Sequence, residues 1–198
     1  MKKIYLVRHG KRESHHEETL LSELGVKQAE MTGKYFMDKE INVLCSSPIL
    51  RANQTAKIIS EIISLPIKID DRLKERFLWN EKSESYEEFL QEWHRATVER
   101  NYSSKGRDTA KFSGERLKSV IKEILEGETA LIVAHSGIIG DFLTNYFPKE
   151  KLPFQLDMHD SSLFVEILEC SITEIQIDGN KTTLVRVNDA SHLSAPLV

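Results

Sequence analysis

The sequence predicts an α/β fold: a three-layer α/β/α sandwich with a mostly parallel sheet, one antiparallel strand and a small helical cap insertion. Three observations carry this. Short apolar runs at residues 4–7, 41–44, 67–69 and 129–134 alternate with amphipathic helical stretches, the rhythm of βα units. The runs at 4–7 and 129–134 lack polar alternation, as expected of central parallel strands covered on both faces. Near the carboxyl end, residues 172–177 and 182–187 flank Asp178-Gly179-Asn180 and read as a hairpin, the source of the antiparallel strand.

Taken in order, the first strand ends in Arg8-His9-Gly10, and in open α/β sheets ligands bind outside the carboxyl ends of strands. Polar residues 11–18 follow as a surface loop, in which adjacent His15 and His16 do not share a face and are not expected to bind metal. Ser22 is a suitable N-cap for a helix through Phe36. After the strand at 41–44, Ser46-Ser47-Pro48 is expected to cap and start a second helix with proline in its first position and Arg51 in its opening turn. The charged segment 70–76 after the third strand brings Glu75 to the same rim. Residues 78–112 offer helix and polar linkers but no strand, and read as the cap insertion. Ser85 and Glu88 form a capping box there, and Tyr86, Phe89, Leu90, Trp93 and Thr97 form a packing stripe. Ser113-Gly114-Glu115 is expected to open a helix with Leu117, Val120, Ile121, Ile124 and Leu125 on one face and Gly127 as its stop. The strand at 129–134 then runs into His135-Ser136-Gly137 and a helix expected over 138–147, ended by Pro148. The N–H groups at that helix start, with their partial positive charge, make Ser136 and Gly137 candidates for binding an anion. His94, His159 and His192 have no partner pattern and are read as structural or solvated.

Length and composition bound the function. The 198 residues favour a single domain over 1–198, with ordinary globular proportions of 40% hydrophobic and 29% charged residues. A formal net charge of -4 argues against nucleic acid or an anionic membrane as partner, and no stretch approaches the ~20 apolar residues of a membrane span. Cys45 and Cys170 lie outside any metal or redox spacing and read as reduced structural thiols, so a cytoplasmic location is expected.

Arg8, His9, Arg51, Glu75 and His135 thus converge on one inferred rim. That set suits phosphoryl chemistry. Guanidinium forks match phosphate oxygens, and fixed cations stabilise the charge spread over those oxygens in the transition state. A neutral imidazole can take the phosphoryl group covalently, and a carboxyl can protonate the departing oxygen and then activate water. With Arg8, Arg51 and His135 supplying counter-charge, neither metal nor cofactor is required.

Arg8-His9-Gly10 resembles the signature of the histidine phosphatase superfamily, the group that also holds the cofactor-dependent phosphoglycerate mutases. Residues 21–29, 46–56, Leu73-Lys74-Glu75, Gly114-Glu115, 133–137 and 187–193 resemble its later segments in order. The resemblance implies that His9 is the phosphorylated nucleophile, that Glu75 is the proton donor, and that Arg8, Arg51 and His135 form the phosphate pocket. The chain departs from many relatives in Lys11-Arg12-Glu13-Ser14-His15-His16, in Arg76-Phe77-Leu78-Trp79-Asn80 after the acid, and in Gly114-Glu115-Arg116. These departures and the modest insertion favour a phosphomonoester hydrolase acting on a small phosphorylated substrate. A mutase and a catalytically idle phospho-ligand binding module are the alternatives. Arg12, Arg72, Arg76, Arg95 and Arg107 are each candidates to hold a second anionic group or merely to solvate the surface; the same question attaches to Lys11 and His15. Substrate identity and oligomeric state are not encoded in any of these motifs.

Overall fold

Four parallel strands form the centre of the molecule in the computed structural model, which describes residues 1–16, 19–156, 163–165 and 167–193. They are β1 (Lys2–Arg8), β2 (Val43–Ser46), β3 (Ile67–Ile69) and β4 (Thr129–Ala134). The carboxyl-terminal hairpin adds β7 (Ile172–Asp178) and β8 (Lys181–Asp189), after a separate two-stranded ladder of β5 (Phe154–Leu156) and β6 (Leu163–Val165). The main sheet has the order β3-β2-β4-β1-β7-β8. Its β1–β4, β4–β2 and β2–β3 pairs are parallel, and β7 is antiparallel to both β1 and β8. One reversed strand in a mostly parallel sheet is the arrangement expected from the hairpin.

Both faces of the sheet are covered, which is why its central strands carry apolar side chains without alternation. Ile4, Leu6, Ala130 and Ile132 face α4 (Ala110–Glu123) and α5 (Ser136–Tyr146), packing with Leu117, Ile121, Ile138 and Phe142. Tyr5, Val7, Leu131 and Val133 face the other way, toward α1 (Glu23–Phe36) and α2 (Leu50–Ile63), among Phe36, Ala52, Ala56 and Ile59. Burying each such aliphatic side chain is worth about 1.5–3 kcal/mol, so β1 and β4 are anchored from both sides. Local signals agree with this packing. The Ser22 side chain accepts from the Gly25 N–H at 3.1 Å, and the Ser85–Glu88 capping box opens α3 (Tyr86–Val98) in the segment that supplies no strand.

Several boundaries differ from the sequence expectation, each for a tertiary reason. The second strand occupies Val43–Ser46 rather than 41–44, because pairing with β4 continues to Ser46 and the Ser47 N–H still donates to Val133. Consequently the two serines do not cap α2 and Pro48 is not its first residue; Ile49 is the N-cap. Helix α4 starts three residues early, capped by the Thr109 side chain, so Ser113 and Gly114 lie buried inside it and the strandless segment 78–112 overlaps its first turn. It ends at Glu123, with Ile124 already extended, which leaves Leu125 exposed and Gly127 (φ +88°) in the following turn. Helix α5 begins directly after His135, its N-cap, and ends at Tyr146. On α3, Leu90 is exposed and leaves the stripe that Tyr86, Phe89 and Trp93 form. His159 lies outside the described residues. Among the described residues, no helix is long and apolar enough to cross a membrane.

Candidate active site

Strand register brings the key side chains together. Arg8 pairs with Ala134 across β1 and β4, and Ser46 with Val133 across β2 and β4, so these three neighbouring strands end nearly level. The ladder continues one residue further: the His9 N–H donates to Ala134 at 3.0 Å and the Ser47 N–H to Val133 at 3.1 Å. Ser47, His135 and His9 therefore emerge side by side at the carboxyl edge of the sheet, and α2 delivers Arg51 from its first turn. Gly10 lets the chain leave this edge tightly against α1, since a Cβ there would come within 2.5 Å of the Gly25 carbonyl oxygen.

The two imidazoles stand edge to face, with centroids 5.2 Å apart, and both are buried. Burial, then the neighbouring His135, Arg8 and Arg51, holds His9 well below the ordinary imidazole range; burial, Arg51 and Arg8 do the same to His135. Both rings are thus neutral near pH 7, and hydrogen bonding fixes the His9 tautomer. A carbonyl oxygen only accepts, so Nδ1, 2.8 Å from the Gly10 carbonyl oxygen, carries the proton. Nε2 then presents its lone pair, to which the Arg51 Nε–H donates at 3.1 Å. His135 Nε2 lies 2.8 Å from Ser47 Oγ, while its buried Nδ1 has no hydrogen-bond partner among the described residues.

Glu75 reaches the same space from the turn after β3. Its Oε1 accepts from the Arg76 and Ile138 N–H groups at 2.8 and 2.9 Å, and Oε2 accepts from Gly137 at 3.0 Å. The start of α5 thus holds the Glu75 carboxyl group through its N–H groups, in keeping with its dipole. Ser136 is its partly exposed first residue. A Cβ at position 137 would lie 2.4 Å from Glu75 Oε1 and 2.5 Å from the Trp93 ring, so only glycine fits between the acid and α3. Arg116 steadies the turn behind Glu75 by donating to the carbonyls of Arg72, Lys74 and Glu75. Arg116, the last residue of the Gly114-Glu115-Arg116 departure, is therefore a brace for this turn.

Arg8 lies at the edge of the cluster, donating Nη1 to the Ile167 carbonyl at 2.5 Å and Nη2 to Glu169 Oε1 at 2.9 Å. Its buried Nε has no hydrogen-bond partner among the described residues. The structure thus brings Arg8, His9, Arg51, Glu75 and His135 to one rim, and adds Ser47, Trp93 and Glu169. Ser47 had a sequence signal for the rim, its position at a strand end, and Trp93 only one for packing; Glu169 and Trp93 reach the rim through contacts distant in sequence. His192 packs against Tyr35 and lies 3.0 Å from Thr32 Oγ1, away from the cluster, as a structural histidine.

Comparison with known proteins places this geometry in context. The model of the histidine phosphatase superfamily (branch 1) matches residues 4–190. A protein of Hydrogenobacter thermophilus named "Putative phosphoserine phosphatase 2" is 26% identical, with 97% of this chain and 98% of that protein covered. A Yersinia pestis protein named "Probable phosphoglycerate mutase GpmB" is 27% identical over 99% of this chain and 97% of its own length. Among solved structures, Bacillus stearothermophilus YhfR shares the fold with a TM-score of 0.75 at 24% identity, covering 97% of this chain and 99% of that one.

Proposed function

Since the chain belongs to the histidine phosphatase superfamily, we propose that it is a phosphomonoester hydrolase that works, without a metal ion, through a covalent phosphohistidine on His9. The observation that carries this reading is the neutral, tautomer-fixed His9, whose Nε2 lone pair faces Arg51 beside a second buried imidazole. An incoming phosphoryl group draws Arg51 from Nε2 onto its oxygens, and Nε2 attacks phosphorus as the ester P–O bond breaks. Arg8, whose Nε has no partner among the described residues, joins Arg51 in supplying the counter-charge.

His135 is the second phosphate ligand on this reading. Ile49 N–H donates to Ser47 Oγ at 3.2 Å, which leaves the Ser47 hydroxyl free to donate to His135 Nε2. Nδ1–H is then the ring donor left for a phosphoryl oxygen. Ser136 and Gly137 border the same pocket, with the Gly137 N–H spent on Glu75. Glu75 gives a proton to the leaving oxygen through Oε2, the oxygen that accepts one N–H rather than two. In the second step its carboxylate takes a proton from water, the oxygen of that water attacks phosphorus, the P–N bond breaks, and phosphate leaves with His9 neutral again. The segment 78–112, with α3 against Gly137, is proposed as a cap on a single domain.

The relatives named above include a phosphatase and a mutase, so the test separates the two. Hydrolysis of p-nitrophenyl phosphate with excess chelator is expected to show a burst of phenol followed by steady phosphate release. Loss of activity with chelator would overturn metal independence. Transfer of the phosphoryl group within a bisphosphate, in preference to its release, would identify a mutase.

A further inference from the structure

Of the five arginines that the sequence leaves open for a second anionic group, four are already matched. Arg72 pairs with Asp70 and Glu123, Arg76 with buried Asp141, Arg95 with Glu99, and Arg107 with Glu84. Arg12 differs. Among the described residues it has no carboxylate partner, and its guanidinium Nη2 instead donates to neutral His15 Nδ1 at 2.9 Å. It is half-buried and close enough to Arg8, Glu75, Glu169 and His135 to interact with each electrostatically. Glu169 pairs with Arg8, and Glu75 accepts from three N–H groups, and neither forms an ion pair with Arg12.

Nor is Arg12 a loose surface chain. Its backbone forms an antiparallel bridge with Leu21, whose N–H is held by Gln54 at 2.9 Å. His15, on which the guanidinium rests, is also held by α3: the Tyr86 hydroxyl lies 3.1 Å from the same Nδ1 and the rings are 4.8 Å apart. Two donors share one imidazole lone pair, so a stronger acceptor would displace one of them. A guanidinium held against His15, with no carboxylate ion-pair partner among the described residues and within electrostatic reach of Glu75 and His135, fits a planar anion, to which Arg offers a bidentate fork.

We propose that Arg12, supported by His15 and Tyr86, is a specificity-determining subsite for a second anionic group, so that the preferred substrates are phosphomonoesters bearing a carboxylate or a further phosphate near the ester. This rests on the hydrolase reading above and names its substrate class.

The test uses matched pairs that share an ester and differ in the acid: phosphoglycolate with ethyl phosphate, phosphoserine with phosphoethanolamine, and ethylene glycol bisphosphate with its monophosphate. The first two pairs report a carboxylate and the third a phosphate. The acidic member is expected to have about tenfold to a hundredfold higher kcat/KM, the range of a charge-assisted pair, with the gain in KM. Arg12→Gln is expected to collapse that ratio toward one, and Arg12→Lys to keep part of it; damage to the fold would slow both members alike. Calorimetric binding of the same pairs to the His9→Ala protein reads the preference without turnover. A preference seen in binding, without hydrolysis of any pair or of p-nitrophenyl phosphate, would support this subsite and overturn the hydrolase reading. Ratios near one in every pair, or ratios that survive Arg12→Gln, would overturn the subsite alone.

Discussion

His9, His135 and Ser47 stand where three hydrogen-bonded strands end, whereas Glu75, Arg12 and Trp93 reach the same space from turns, a loop and α3. On the first side, sheet register fixes position: a one-residue slip of β1 against β4 would exchange Ile4 and Leu6 with Tyr5 and Val7 between the two faces and move His9 off the edge it shares with His135. On the second side, side-chain contacts fix position. Glu75 depends on two backbone N–H groups at the start of α5 and on the Arg116 brace, and Arg12 depends on His15 and Tyr86. The difference teaches that proposed phosphate chemistry is tied to the fold, while the leaving-group side is free to vary with the loop and the inserted helix.

The largest expected effect tests the register-built side. His9→Ala should lower turnover by about 10⁴-fold or more, because no other imbalance of charge replaces a lost nucleophile. Steady-state hydrolysis of an aryl phosphate measures it, and residual activity within tenfold of wild type would break the division of roles. Glu75→Gln comes next and should depend on the substrate. Loss of about 10²–10⁴-fold is expected for an alkyl phosphate, whose departing oxygen needs the proton, with the first step nearly spared for an aryl phosphate. Pre-steady-state hydrolysis of both esters separates the cases; equal loss in the first step would pass the acid role to Glu115 or Asp71.

Ser47→Ala sharpens the comparison from within the strand ends. Without the hydroxyl, His135 loses its Nε2 partner, and a fall of about fivefold to tenfold in kcat is expected on alkyl and aryl esters alike. A loss confined to alkyl esters would instead tie Ser47 to the leaving-group side.

The smallest effect concerns stability. Both buried imidazoles have folded pKa values well below the ordinary 6.5. The unfolded chain therefore takes up protons first as pH falls, so this contribution to stability is fully present above about 6.5 and is lost below it. Each ring adds a slope of about 1.4 kcal/mol per pH unit in the window between 6.5 and its folded value. Urea unfolding across that range should show a shallower slope for His135→Gln than for wild type. Parallel curves would contradict the burial of a neutral ring.

The same contrast explains what could be read from the chain alone. His9 and His135 are legible because an apolar strand followed by a polar residue places that residue at the sheet edge in any parallel α/β arrangement. The Ser46-Ser47-Pro48 run reads locally as a helix start, yet hydrogen bonding to β4 holds both serines at the strand end and turns Ser47 toward His135. Glu169 carries no local mark, and Trp93 only that of a packing stripe. Their roles arise from the contact of Glu169 with Arg8 and of Trp93 with Gly137, pairs far apart in sequence that only the folded chain brings together. Arg12 is intermediate: its charge is visible in the sequence, but its lack of a described carboxylate partner emerges only when the other arginines are seen to be paired.

The most direct test of the central claim is to find the covalent intermediate. Rapid mixing with p-nitrophenyl phosphate, quenching in base to preserve phosphohistidine, and peptide mass spectrometry should locate a phosphoryl group on His9. The label should be absent from His9→Ala and should accumulate in Glu75→Gln as water attack slows. A label on His135, or turnover by wild type with no phosphohistidine at any time, would contradict the account.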